Sequence, residues 1–400
     1  MFRTILESYR AAFRGLSREI WLLSLILLVN RSGTMVVIFM VTYLTKELGY
    51  APAEAGNLLA LYGLGTMLGI YLGGRFSDRI GYRPIILIGL FGTSLALLGL
   101  GQARTILELG IGLAILGVIG EVLRPAVSVA IAAHSRPDNR SRAFGLLRLC
   151  VNLGMTIGPV AGGLLISFDY AWLFYVDAAT CLAAGMLFYR LFPKSAVIAH
   201  DPKTEKTDKV SAYRDRPFLI ALFLTFLHAL IFFQVMSTLP LYLVEHRGYT
   251  EFQFSALFAV NTILIVLFEM VLLKSMEKRS PLKVVAVAGF MIGIGFGLTS
   301  LSFSVAALVG TVLIWTLGEM LAAPILQTWV SNRADRGSQG QYMAAFAMIF
   351  SVASIVAPWV GLRVYQHIGP DWVWHGCVVL GIVQLVGFWR LASHPSVDND

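Results

Sequence analysis

Apolar runs of membrane-spanning length recur twelve times along this chain of 400 residues. A helix needs roughly 20 apolar residues to cross the hydrocarbon core of a bilayer. Runs of that length fall at 20–44, 53–73, 85–102, 105–133, 143–167, 170–191, 217–244, 250–273, 283–303, 305–330, 340–366 and 371–392. They are continuous rather than alternating, so they read as helices and not as the strands of a β-barrel. Composition agrees: 57% of residues are apolar and 14% are charged, against about 25% charged in an ordinary soluble domain. A compact globule cannot hide so much apolar side chain. A soluble enzyme and a disordered or fibrous chain are both excluded.

The net charge of +8 could suggest a nucleic-acid partner, but its distribution argues for membrane topology. With the N-terminus inside, the inner segments hold 24 of the 31 Lys and Arg. The outer side holds four (Lys46, Arg104, Arg247 and Arg363), and Arg31, Arg124 and Arg148 lie within spans. That bias predicts two cytoplasmic termini and a bacterial-type inner membrane. Residues 1–19 carry Phe2, Ile5, Leu6, Tyr9, Phe13 and Leu16 at helical spacing with Arg3, Arg10, Arg14 and Arg18 on other faces. This reads as an amphipathic helix lying on an anionic surface, and not as a cleavable signal peptide. Cys150, Cys181 and Cys377 sit in apolar runs without metal or disulfide spacing and read as packing residues.

The stretch 193–216, with Asp201-Pro-Lys-Thr-Glu-Lys-Thr-Asp-Lys209, divides the chain into six spans (20–192) and six more (217–393), with a tail at 394–400. The halves repeat. Gly120-Glu121-Val-Leu-Arg-Pro125 parallels Gly318-Glu319-Met-Leu-Ala-Ala-Pro324, and Gly158-Pro159 with Gly162 parallels Ala357-Pro358 with Gly361, at offsets of 198 to 199. A parallel duplication of this kind belongs to one class of secondary transporters. The fold class predicted is an all-α integral membrane protein of two pseudo-symmetric six-helix bundles.

Between spans 2 and 3 lies Gly74-Arg75-Phe76-Ser77-Asp78-Arg79-Ile80-Gly81-Tyr82-Arg83. It resembles the loop 2–3 signature of the major facilitator superfamily, and the resemblance covers the whole chain. It implies a conformational latch built from Gly74, Asp78, Arg79, Gly81 and Arg83, with Asp78 meeting a helix N-terminus or a neighbouring Arg and Arg148 in support. Gly154, Gly158, Pro159, Gly162 and Gly163 in span 5 resemble the antiporter motif of drug:proton antiporters in that superfamily. The proline bends the helix and the glycines are expected to allow close packing between the halves. Two departures stand out. Leu113 occupies the position where drug antiporters often carry an Arg. Arg31 and Arg124 with Glu319 are also similar to proton-coupled peptide symporters, yet Leu27 and Asn30 replace the acids of their span 1 signature.

Charges inside spans are costly and usually functional. Glu319, Glu121, Glu269, His228 and Asp177 are the candidate proton-coupling groups. Glu121 and Arg124 are three apart and can pair on one helical face. Glu319 has no basic neighbour on its own helix, which suits a proton carrier. Glu269 is a candidate second proton site or interface pair, and Asp177 a candidate partner for an Arg. The resemblance implies a central cavity lined by spans 1, 4, 7 and 10. Its candidate lining is Arg31, Asn30, Arg124, Tyr43, Tyr62, Phe232, Phe233, Gln234, Met236, Trp315 and Met320. The function expected is proton-driven export of amphipathic or cationic small molecules by alternating access. The alternative is proton-coupled import of a peptide or organic anion, with Arg31 and Arg124 on its carboxylate. No catalytic motif is present. No metal or cofactor beyond the proton gradient is expected, and the partners expected are a small molecule and lipid, with the chain acting as a monomer.

Overall fold

The computed structural model describes residues 11–50, 52–166, 168–193, 211–249, 251–302, 304–334 and 338–393. Most of the expected amphipathic segment (1–10), the central loop (194–210) and the tail (394–400) lie outside the described residues. Twelve helices are long and apolar enough to span a bilayer. They are α1 (Arg18–Glu47), α2 (Glu54–Ile80), α3 (Tyr82–Leu100), α4 (Ile106–His134), α5 (Arg140–Ile166) and α6 (Ala171–Leu191). The second half supplies α7 (Arg216–Val244), α8 (Ala256–Met276), α9 (Pro281–Leu301), α10 (Val305–Arg333), α11 (Gln339–His367) and α12 (Trp372–Ala392). No strand occurs among the described residues.

Helices that are apolar on every face need neighbours or lipid all around them. Close approach is bought by small residues rather than by polar contacts. In α2, a side chain at Gly65, Gly69 or Gly73 would strike the α4 carbonyls of Ala114, Val118 and Val122 at 2.4, 2.2 and 2.5 Å. In α10, Gly318 lies against the Ala288 carbonyl of α9. The antiporter-like motif departs from expectation. Gly154 meets Arg31, Gly158 meets the Thr34 carbonyl, and Gly162 meets Met35 and Phe39. All of these belong to α1, so the motif seats α1 inside its own half instead of packing one half on the other. Pro159 lies inside α5, and Gly163 has open space beside it.

α1 and α7 are both interrupted near mid-depth. In α1 the helix stops at Ser32 and restarts at Val36, and in α7 it narrows over Phe233–Val235 before Thr238. Both end in a wide π turn, Tyr43–Glu47 and Tyr242–His246. The exits repeat at an offset of 199: Tyr43, Leu44, Gly49 and Tyr50 match Tyr242, Leu243, Gly248 and Tyr249. Tyr50 N–H donates to the Leu44 carbonyl and Tyr249 N–H to the Leu243 carbonyl, both at 2.9 Å. Gly49 and Gly248 take φ of 72° and 71°, a conformation that glycine adopts without strain.

The two halves meet along α2–α11, α5–α8, α5–α10 and the lower part of α4 with α10 and α11. Their polar contacts lie between mid-depth and the end carrying the Lys- and Arg-rich loops, called the basic end below. There Arg140 bonds Asn332, and Arg142 pairs with Glu277. Asp78 accepts from the N–H groups of Gly340 (2.6 Å) and Gln341 (2.9 Å), so its carboxylate sits on the N-terminus of α11. Gly74 and Gly340 make room for that crossing, each excluding a side chain by the other's backbone. Residues just before α1 are also tied here: Arg142 donates to the carbonyls of Ala12 (2.8 Å) and Arg14 (2.9 Å). At the opposite end, α1 and α7 form no packed interface across the halves among the described residues.

The second half holds its own basic end together through Asp215, which caps α7 at Phe218 N–H and accepts from Arg333 (2.6 and 2.9 Å) and the Tyr342 hydroxyl (2.8 Å). Burial alone would push this carboxyl up, but Arg333 and Tyr342 outweigh it and hold it below the usual carboxylate range. A depressed folded-state value gives stability that is present above the unfolded value of about 4 and is lost as pH falls through the folded one. Thermal unfolding in detergent should therefore show Asp215→Asn costing most at neutral pH and converging on the wild type in acid. A cost that does not shrink on acidification contradicts this. A second test addresses the α1–α5 seat. Gly154→Leu should destabilise by about 1–3 kcal/mol through overpacking against Arg31, whereas Gly163→Leu should leave Tm unchanged. Equal effects would contradict the seat.

Candidate functional site

At mid-depth one cation of the first half is held by two anions of the second. Arg148, nine residues into α5, donates through Nη1 to Glu269 Oε1 (2.8 Å) and through Nη2 to Glu319 Oε1 (2.6 Å). Nη1 also reaches the Glu319 carbonyl at 3.2 Å. Glu319 Oε2 accepts from Asn261 Nδ2 (2.9 Å), whose amide also reaches Thr316 (3.0 Å). Glu269 is fully buried, and its Oε2 has no hydrogen-bond partner. His228 lies within electrostatic range of Arg148, with Nδ1 on Gln384 Oε1 at 3.1 Å. Arg148 was expected beside Asp78. Instead it lies some eight residues deeper than Arg140, about 12 Å at 1.5 Å per residue, and pairs with Glu269 and Glu319. The sequence shows Glu319 alone on its helix because its partner comes from the other half.

The charges of the first half form a second group. Glu121 and Arg124 pair at 3.0 Å, with 43% of the Arg124 side chain exposed. Arg31 sits at the last turn before the break in α1, half-buried, with its Nε buried and unpartnered. Tyr62 of α2 lies within electrostatic range of Arg31, Glu121 and Arg124. Asp177 was expected to pair with an Arg. It instead caps the restart of α1, accepting from the N–H groups of Met35 and Val36 at 3.3 Å each. A carboxylate there satisfies donors that the interruption leaves open. Cys181 bridges the same corner, receiving Asn30 Nδ2 at 3.3 Å and lying 3.8 Å from Asp177 Oδ1.

The expected cavity lining separates into three sets. Arg31, Tyr62, Phe232 and Phe233 are half-buried, while Arg124 and Met236 are exposed. Gln234, Trp315 and Met320 are buried inside the second half: Gln234 ties α7 to α11 through the Ala357 carbonyl (3.0 Å), and Trp315 stacks on Phe296. Tyr43 is buried at the exit of α1, against Phe174 and Arg104 (3.2 Å), and Asn30 is buried on Cys181. In the loop 2–3 motif, Gly81 has a φ of 82°, Arg79 is exposed, and Arg83 caps α6 through the carbonyls of Phe192 (2.7 Å) and Pro193 (2.6 Å). Two functional features escaped the sequence reading. The bond from Asn261 to Glu319 has no sequence signature. The paired exits of α1 and α7 do have one, in the Tyr-Leu-x4-Gly-Tyr repeat.

A geometry of two six-helix bundles, with a buried ion triad between them, invites comparison with known proteins. The family model described as Major Facilitator Superfamily matches residues 23–358. The chain is 26% identical over 327 residues to the multidrug resistance protein MdtH of Aeromonas hydrophila, covering 81% of each. It is 29% identical over 329 residues to the class C tetracycline resistance protein of Escherichia coli, covering 79% of this chain and 81% of that one. Among solved structures it resembles the human organic anion transporter MFSD10 (TETRAN), with a TM-score of 0.74 at 15% identity over 94% of this chain and 99% of that one. A bacterial homologue of the iron transporter ferroportin matches with a TM-score of 0.74, again at 15% identity, over 94% and 100%. The chain thus belongs to the major facilitator superfamily, as a multi-pass membrane protein of twelve spans.

Proposed function

We propose that this transporter exports amphipathic small molecules in exchange for protons, from the cytoplasmic side of a bacterial inner membrane. The family and fold point to a transporter rather than an enzyme. The observation that carries the coupling is the triad of Arg148, Glu269 and Glu319. One cation faces two buried carboxylates, which leaves one uncompensated negative charge inside the membrane. Such a charge is costly, and a single proton removes it. Glu269 is the proton acceptor, because its Oε2 is buried and unserved while both oxygens of Glu319 are bonded. The notion of Glu319 as a lone proton carrier gives way to a shared site.

The triad joins α5 to α8 and α10 across the halves, so it acts as a lock on the closed basic end. A proton arriving from the opposite side removes the surplus charge of the closed triad, where burial favours the neutral acid. Opening of the basic end exposes Glu269 to water, the proton leaves inside, and closure around cargo bound there carries it outward. Asp78 on the N-terminus of α11 is a second clasp on the same end. Homologues named for multidrug and tetracycline resistance support export. Uptake of an organic anion together with a proton is the second reading, favoured by the unpaired Arg31.

Inside-out vesicles with an acid interior test the first reading. Adding tetracycline should drain the pH gradient in the wild type, and Glu269→Gln should abolish the drain while sparing gradient-free exchange of tetracycline. Glu319→Gln should weaken transport and lower Tm, since it also loses part of the Asn261 bond. Transport at an undiminished rate after an uncoupler collapses the gradient would overturn proton coupling. Accumulation of a test acid in right-side-out vesicles, driven by inward protons, would favour the second reading.

A further inference from the structure

We propose that Arg31 is the receptor for an anionic head group, a carboxylate, sulfonate or phosphate, on an amphipathic cargo. This rests on the chain being a transporter whose cargo reaches mid-depth, and it holds for export and for uptake. Arg31 is the only one of the three intramembrane arginines without an ion pair among the described residues. Arg124 has Glu121, and Arg148 has Glu269 and Glu319. A guanidinium with a buried, unserved Nε inside a bilayer is a costly feature that calls for a partner.

The nearby acid does not fill that role. Asp177 lies within electrostatic range of Arg31 but forms no ion pair with it. Its Oδ2 is taken by the N–H groups of Met35 and Val36, and its Oδ1 lies by Cys181. Asp177 therefore makes no hydrogen bond to Arg31 and leaves its donors open. The backbone of Arg31 packs closely on α5 from the other side, because a side chain at Gly154 would come within 2.7 Å of its Cβ and 3.0 Å of its carbonyl carbon. Arg31 thus presents a cation with donors to give at the break in α1, and interrupted helices commonly form the substrate site in transporters.

The matching break of the second half differs in kind. The equivalent break in α7 carries Phe232, Phe233 and Met236, with Met236 62% exposed. α1 and α7 share no packed interface among the described residues, and we place the occupant between the two breaks. Its apolar body fits the aromatic and thioether side, and its acid fits Arg31. Planar, two-oxygen groups suit a guanidinium best, since they accept two parallel hydrogen bonds.

Three probes sharing one ring system separate head-group charge from ring binding: 1-naphthalenesulfonate, 1-naphthylmethylammonium and 1-naphthalenemethanol. Thermal unfolding of the full chain in detergent, with no gradient, reads binding without any demand for proton coupling. The sulfonate should stabilise the wild type at concentrations about tenfold or more below the other two, the scale of one charge-assisted hydrogen bond. Arg31→Gln should erase that preference, and Arg31→Lys should keep the sign with a smaller ratio. Equal stabilisation by all three probes in the wild type, or a sulfonate preference that survives Arg31→Gln, would overturn the proposal. The wild-type ranking decides the matter if Arg31→Gln does not fold. Success here with gradient-independent transport would instead remove proton coupling and leave the anion site standing.

Discussion

Everything at the interface of the two halves turns on how a buried arginine can be tolerated between them. Arg148 enters the membrane on α5 of the first half, and its neutralising charges come from α8 and α10 of the second. Separating the halves at the basic end would leave a bare guanidinium on one side and two carboxylates on the other. In a low-dielectric interior the separation costs more than any exposed ion pair contributes. Under the proposed coupling, the strength of this interface depends on whether one carboxylate has taken a proton, which removes the surplus negative charge from the closed state.

The surrounding packing makes the lock specific. Small residues, not large ones, set the helix spacing on α2, α5 and α10, and each half behaves as a close-packed unit. The clasp of Asp78 on α11, the Arg142–Glu277 pair and the Gly74–Gly340 crossing all lie on the same end as the triad. In the proposed cycle, motion about this interface opens one end at a time. The interruptions in α1 and α7 lie near mid-depth, and the segments beyond them lead to the matching Tyr-Leu-x4-Gly-Tyr exits, which share no packed interface across the halves among the described residues. They are natural points of bending for the opposite end.

Much of this was legible in the sequence, and the reasons for the rest are physical. Hydropathy and length gave the helices, since a lipid solvent imposes both. The repeat of Gly120-Glu121 in Gly318-Glu319 exposed the two halves, and the Glu121–Arg124 pair followed from helical spacing. Asp78 was readable as an anion seeking a helix N-terminus. Partners that come from another helix were not readable. Nothing in the sequence around Glu319 points to Arg148, 171 positions away, or says that Asp177 serves backbone donors of α1. The glycines of the antiporter-like motif were readable as close-packing residues, but not which helix they would face. Trp315, Met320 and Gln234 show the same limit: helical periodicity cannot tell a cavity wall from the core of a bundle when both are apolar.

The most direct test of the lock is the separation of the two halves at the basic end as a function of pH. Spin labels at Asp138 and Lys278, exposed positions of the first and second half, would report it by pulsed dipolar spectroscopy on protein in lipid nanodiscs. The account predicts a short distance that dominates in the wild type in acid, where the closed triad holds a proton, and a longer population that grows as the pH rises. Glu269→Gln should keep the short distance at every pH. A wild-type distance that ignores pH, or a longer population in Glu269→Gln that still grows with pH, would contradict the claim that the Arg148 triad holds the halves together in a proton-dependent way.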